Sequence, residues 1–259
     1  MYNFFTELPE VDGVFRLCGN DFNHAKNVLR LKIGERFLVS HGGKSSLCEL
    51  TSYEEQTVIA KIIERDFQDT SLPIEIYLFQ GLPKSDKLEL IIQKAVELGV
   101  YEIIPVAMKN CVVKLDDKKA GKKIERWQAI SESAAKQSKR TRIPEVQMPL
   151  TWKEAMKKAQ ELDVVLVPYE CERGMETTRE VIKAIQPGQS IAIFIGPEGG
   201  FSPEEIEGIC PTNKEEGFSQ ELTAKEGINT YSEEELIKIL TVYGEEKFAK
   251  NNGKHGTNL

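Results

Sequence analysis

The sequence predicts an α/β protein in which a small all-β domain precedes a larger domain built on a parallel sheet. Three observations carry that expectation. Residues 1 to about 70 hold short, β-branched, partly alternating segments with a turn signal at His41-Gly42-Gly43. From residue 74 the pattern changes to apolar runs alternating with amphipathic helical stretches. The apolar run at 191–195 then enters Gly196-Pro197-Glu198-Gly199-Gly200 and a helix start. A strand end, a glycine loop and a helix start together make a ligand cradle in an α/β sheet.

Taken in order, "ERFLVS" (35–40), "SSLCELTSY" (45–53) and "TVIAKIIERD" (57–66) read as strands, because branched side chains fit a pleated, half-buried surface. So many short strands in so small a segment predict a small barrel. Between them "NHAKNVLRLKIGE" (23–35) predicts a helix ending in a turn at Gly34. Its Lys26, Arg30 and Lys32 read either as solvated surface or as an RNA-facing edge. "RDFQDTSLP" (65–73) marks the boundary. Beyond it, "IEIYLF" (74–79) reads as a strand, "SDKLELIIQKAVEL" (85–98) as a helix and "YEIIPVAM" (101–108) as the next strand. The helix shows one apolar face, Leu88, Ile91, Ile92, Ala95 and Val96, and stops at Gly99. Such a β-α-β unit implies parallel strands and a right-handed crossover. "KKIERWQAISESAAKQSKR" (122–140) predicts a second helix with a core stripe of Ile124, Trp127, Ile130 and Ala134. "DVVLVPYE" (163–170) is a further buried strand, followed by a helix near 175–185 and the strand at 191–195. Ser202 as N-cap, Pro203 at the first helical position and Glu204 and Glu205 facing the dipole open another helix. In the tail, Ser232 and Glu235 form a capping box before an apolar stripe.

Composition narrows the functional classes. At 259 residues with 40% hydrophobic and 29% charged, the chain suits a soluble globular protein with one large or two modest cores. No run approaches the roughly 18 apolar residues of a membrane span, and the opening residues lack the pattern of a secretory signal. Five widely spaced cysteines predict reduced thiols in a cytoplasm. Three histidines without nearby cysteines predict no metal site. The net charge of −7 conceals a segment, 109–142, with eleven Lys/Arg against four Asp/Glu. That run reads either as a solvated helix face or as a nucleic-acid contact.

The glycine loop constrains its ligand. It lacks the Lys-Ser/Thr that closes a Walker A loop, and it is not G-x-G-x-x-G. Glu198 inside it would oppose a phosphate. A neutral or cationic ligand held by backbone groups, which glycine lets approach closely, fits better.

Several words of the sequence resemble the RsmE-type methyltransferases, which methylate N3 of a uridine near the 3′ end of 16S ribosomal RNA. These are "HAKNVLRLKIGE" (24–35), "PKSDKLELIIQKAVELGV" (83–100), "VVKLD" (112–116), "RWQAISESAAKQSKRTRIPEV" (126–146) and "FIGPEGGFSPEEI" (194–206). The resemblance implies a PUA-like RNA-binding β-barrel (1–72), a SPOUT-type methyltransferase domain (73–250) whose C-terminal trefoil knot holds S-adenosylmethionine, and a disordered tail (251–259). Knots are rare, and no periodicity in the sequence signals one. A cytoplasmic homodimer acting on 16S rRNA of the 30S subunit is implied as well. By the same resemblance Leu166, Pro168, Ile195, Gly196, Pro197, Glu198, Gly199 and Gly200 border the cofactor, and a side chain at Gly199 would occupy ligand space. Arg30, Lys32, Lys84, Lys94, Arg140 and Arg142 are the candidates for RNA phosphate contacts. The catalytic residues are left unassigned.

Two departures from that family's pattern stand out. Asn110 occupies a position where the family commonly carries Arg. Some fifteen to twenty residues after the glycine loop the family carries Leu-Gly-x-Arg-x-Leu-Arg-x-Glu-Thr-Ala, a segment that threads the knot. The corresponding stretch here, "GFSQELTAKEGINTYSEEEL" (217–236), contains no Arg. That difference keeps open the alternative of a non-catalytic RNA-binding protein of the same fold.

Overall fold

The computed structural model describes residues 1–67, 69–113, 117–167 and 182–209. Most of the helix expected near 175–185, Pro168, the capping box of the tail and the segment assigned to the knot lie outside these residues. The chain divides into two compact units, Met1–Ser71 with Glu132–Ile143, and Leu72–Ser131 with Pro144–Leu259.

The first unit is a five-stranded sheet in the order β1-β3-β4-β5-β2. Its strands are β1 (Asn3–Phe5), β2 (Val14–Cys18), β3 (Arg36–His41), β4 (Lys44–Glu54) and β5 (Thr57–Glu64). β1 runs parallel to β3, and the other pairs are antiparallel. Two register shifts in β4, at Leu47/Cys48 and Leu50/Ser52, mark irregularities of the kind that bend a sheet. Among the described residues the pairing path stays open between β1 and β2, a five-stranded sheet where the sequence predicts a small barrel. Phe4, Phe15, Leu17, Phe37, Val39, Leu50 and Val58 fill its core, with Phe4 and Phe37 edge to face at 5.2 Å.

The helix expected over 23–35 is shorter and earlier. α1 (Asn20–Asn23) runs into a π-turn, His24–Val28, and regular structure then stops. Leu31 N–H reaches back to Ala25 O, and Arg30 adopts a left-handed φ of 53°. The chain thereby turns Leu31 into the core, where the Tyr53 hydroxyl donates to its carbonyl. Tertiary burial overrides the helical spacing there.

The second unit is a wholly parallel sheet in the order β10-β11-β6-β7-β8, with β9 also paired to β7. The strands are β6 (Glu75–Gly81), β7 (Glu102–Ala107), β8 (Glu145–Val146), β9 (Leu150–Thr151), β10 (Val164–Leu166) and β11 (Ser190–Ile195). The central strands are apolar along their length because both faces are covered. Helix α2 (Lys87–Leu98) buries Leu88, Ile92 and Val96 and ends at Gly99, whose φ of 98° is the left-handed cap that favours glycine. α3 (Asp117–Ser138) buries Trp127 in this unit, while its residues from Glu132 onward, with buried Ala134 and Ala135, belong to the first unit. α4 (Trp152–Ala159) opens with a capping box between Thr151 and Glu154 and buries Ala155, Met156 and Ala159. A short helix α5 (Pro203–Ile209) follows the glycine loop. Phe79 and Phe194, both fully buried, stack across β6 and β11 with centroids 4.5 Å apart, and Trp152 meets Phe194 edge to face at 5.4 Å.

Candidate cofactor and RNA site

The neighbouring parallel strands β11, β6 and β7 end side by side, so the loops that follow them share one edge of the sheet. Ligands of open α/β sheets bind outside the carboxyl ends of the strands. Here those ends carry the loops after β6, β7 and β11.

Glycine is required where these loops meet. A Cβ on Gly81, the last residue of β6, would lie 2.7 Å from Pro197 N and Cδ and 2.9 Å from Met108 Sδ. A Cβ on Gly196 would lie 3.3 Å from the Gly200 backbone. The loop folds on itself through a Gly200 N–H to Pro197 O bond of 2.8 Å, with Gly200 at φ 66°. Gly199 differs from the expectation: its Cβ would meet Asn110 Cβ at 3.1 Å, so the space beside it holds a side chain of the protein.

The acids of the loop are engaged with the scaffold. Both Glu198 oxygens accept from Lys84 N–H at 3.2 Å, and one accepts from Lys87 Nζ at 2.9 Å. The Lys87 ammonium and the surrounding peptide N–H groups hold that carboxyl down at about 2. Glu204 pairs with Lys109 Nζ at 2.7 Å, which, with a peptide N–H and Ser202, likewise lowers it to about 2. Buried Glu205 accepts from Lys109 N–H at 2.7 Å and from Ser202 N–H at 2.8 Å. Asn110 Nδ2 donates to Gly199 O and Gly200 O at 3.0 and 3.2 Å. The loop therefore presents a fixed peptide edge, while its charges are occupied elsewhere. Burial raises the neighbouring Cys111 thiol.

The expected cofactor residues occupy graded positions. Leu166 is buried at the end of β10, Ile195 and Gly196 are half-buried, Pro197 is buried, Glu198 and Gly199 are exposed, and Gly200 is half-buried. Pro168 lies outside the described residues. Among the basic candidates, Arg30, Lys32 and Lys84 are exposed and have no ion-pair partner among the described residues. Lys94 pairs with Glu97 at 2.7 Å and Arg142 is exposed. Arg140 stands apart: it is half-buried, burial lowers its pKa, and it donates to Thr70 O at 2.6 Å. It braces the first unit together with Asn3, whose amide donates to Arg140 O. No group of three or more metal-ligating side chains gathers among the described residues.

Gly81, Lys87, Lys109 and Glu205 were absent from the expected site. Ser202-x-x-Glu205 is a capping-box spacing and carried a readable signal. The contact that makes Gly81 obligatory had none.

Known proteins match this arrangement. Residues 70–216 fit the family model for an RNA methyltransferase domain, and residues 17–63 that for an RNA methyltransferase PUA domain. The fold and site thus define an RNA methyltransferase with a PUA domain ahead of its transferase domain. The chain is 37% identical over 215 residues to the ribosomal RNA small subunit methyltransferase E of Bacillus subtilis, covering 80% of this chain and 84% of that one. The Mycobacterium tuberculosis protein of the same name is 31% identical over 206 residues, 77% of this chain and 76% of its own. The crystal structure of the Neisseria gonorrhoeae protein of that name, bound to S-adenosyl methionine, has a TM-score of 0.66 at 28% identity, covering 89% of this chain and 88% of that one. The chain belongs to the family of the ribosomal RNA small subunit methyltransferases E.

Proposed function

We propose that this chain transfers the methyl group of S-adenosylmethionine to N3 of one uridine in 16S rRNA of the small ribosomal subunit. The observation that carries the reading is the peptide-edged loop 195–200 at the carboxyl end of β11, with Glu198 and the following Glu205 turned to the scaffold. Glycine at 81 and 196 lets the strand ends and the loop approach each other. A bare loop lets its backbone meet an adenine edge, and nothing in it needs to neutralise a phosphate.

When bound, S-adenosylmethionine supplies an electrophilic methyl on a sulfonium. The chain's part is to hold the reactants in line, since positioning removes much of the barrier of a two-reactant transfer. Leu166, Ile195, Gly196, Pro197, Gly199 and Gly200 border the cofactor in this reading, Pro168 belongs with them, and Glu198 acts by fixing the loop. The uracil leaves its stack to reach the site. As N3 bonds to the methyl carbon, the carbon–sulfur bond would break to leave the neutral thioether S-adenosylhomocysteine, and the N3 proton would pass to solvent. Residues 1–72 serve as the RNA-binding domain and 73–250 as the transferase. Arg30, Lys32, Lys84, Lys94 and Arg142 contact phosphates, and Arg140 acts by holding the first unit together. A C-terminal trefoil knot, a homodimer and a cytoplasmic setting on the 30S subunit belong to the same reading.

Calorimetry with S-adenosylmethionine and a labelled-methyl assay on 30S subunits test it together. The expected result is saturable binding and label at a single uridine of 16S rRNA. Label in another RNA, or no binding at all, overturns it.

A further inference from the structure

We propose that Asn110 is a positioning residue whose carboxamide sets the conformation of the glycine loop. It stands in the turn after β7, and its Nδ2 donates to two consecutive carbonyls, Gly199 O at 3.0 Å and Gly200 O at 3.2 Å. Both partners are acceptors only, so the NH₂ end of the carboxamide is the end that fits. Two adjacent glycines have more accessible backbone states than any other pair. The loop's own turn, Gly200 N–H to Pro197 O, restrains one peptide of the pair and leaves the next. A peptide is planar and trans, so holding these two carbonyls also aims the Gly200 and Phe201 N–H groups away from Asn110.

Asn110 is itself held on both sides. The preceding Lys109 N–H donates to buried Glu205 at 2.7 Å, and the following Cys111 N–H donates to Met108 O at 3.1 Å. The absent side chain at Gly199 is what admits it, since a Cβ there would stand 3.1 Å from Asn110 Cβ. The asparagine and the glycine are therefore one device, and an exposed side chain controls the loop's peptide edge. That this edge faces S-adenosylmethionine rests on the function proposed above.

The test compares full-length Asn110→Asp, Asn110→Ala and Asn110→Gln with the parent by amide hydrogen exchange across 196–202 without cofactor, and by calorimetry with S-adenosylmethionine. Asn110→Asp keeps the shape but sets carboxylate oxygens against the two carbonyls. It is expected to speed exchange in that segment alone and to weaken cofactor binding about tenfold, the scale of two modest hydrogen bonds. Asn110→Gln, with the amide on a longer stem, should recover part of both effects, and Asn110→Ala should lie between Asn110→Gln and Asn110→Asp. Unchanged exchange in Asn110→Asp overturns the proposal, as does Asn110→Gln behaving no better than Asn110→Asp. Faster exchange in a protein whose parent binds no S-adenosylmethionine upholds Asn110's hold on the loop and overturns the cofactor reading instead.

Discussion

Single side chains in this protein often act through charge held in an unusual state. Glu198 has its pKa depressed from an ordinary 4.5 to about 2 by Lys87 and neighbouring peptide N–H groups. A carboxyl with a depressed folded-state pKa contributes stability that is present above the unfolded value and lost as pH falls through the folded one. The melting-temperature difference between the parent and Glu198→Gln should therefore hold from neutral pH to about 4.5, then shrink towards pH 2. A difference independent of pH over that window would mean that the carboxylate charge contributes nothing. Cys48 provides a second residue-scale test. Burial in the core of the first unit pushes its thiol up to about 12, whereas Cys18 is exposed. Thiolate is the nucleophile, so a disulfide reagent at neutral pH should label Cys18 quickly and Cys48 only on unfolding, as peptide mapping would show.

At the scale of elements, the end of β6 governs the site. Gly81→Ala places a methyl 2.7 Å from the Pro197 backbone, which a loop pinned at Glu198 and Asn110 cannot yield without moving. Overpacking of this kind costs about 1–3 kcal/mol. Urea unfolding should register that loss, and the loop's ligand should bind more weakly than the stability change alone explains. Phe79→Ala removes half of the fully buried pair that joins β6 to β11 and should cost about 3–5 kcal/mol by the same measurement. These elements were legible in different degrees. The strands at 74–79 and 191–195 could be read because strands buried on both faces are continuously apolar. α4 was missed, although Thr151-x-x-Glu154 spells its capping box. β8 and β9, at two residues each, are too short to carry a period. The helix expected over 23–35 ends early: Ala25, Val28, Leu29 and Ile33 keep helical spacing, but Arg30 turns left-handed. In the site, the glycine loop was legible from its composition, but the groups that pin it were not. Lys84 and Glu198 are 114 residues apart, and Lys109 and Glu205 are 96 apart. Contacts at such separation leave no local pattern.

For the whole molecule, the question is how binding and catalysis divide over a chain whose C-terminal part departs from its family. The transferase family model reaches residue 216, and the Arg-free stretch 217–236 lies beyond it. On the function proposed above, RNA affinity comes largely from the exposed cations upstream. Replacing Arg30, Lys32, Lys84 and Arg142 together by Ala should weaken 30S binding across sequences. It should also flatten the salt dependence by about one unit of log–log slope for each phosphate no longer neutralised. Equal affinity and slope would remove these residues from the interface. On the same proposal cofactor affinity rests on the loop 195–200, whose peptide edge is fixed by Lys84 N–H, Lys87, Asn110 and Gly81, all upstream of residue 207. Binding of S-adenosylmethionine should therefore survive in part, more weakly than in the Bacillus subtilis relative. Catalysis should fall further, because an Arg side chain can stabilise the negative charge that develops on the uracil as its N3 proton leaves, and the stretch 217–236 has none. A chimera carrying the Bacillus subtilis segment in place of 207–259 separates the two contributions. It should raise the methyl-transfer rate on 30S subunits by a larger factor than it raises cofactor affinity. Equal factors would show that the tail acts only by completing the binding site, and an unchimerised chain as fast as the Bacillus subtilis relative would show that its own residues 217–236 replace the missing motif.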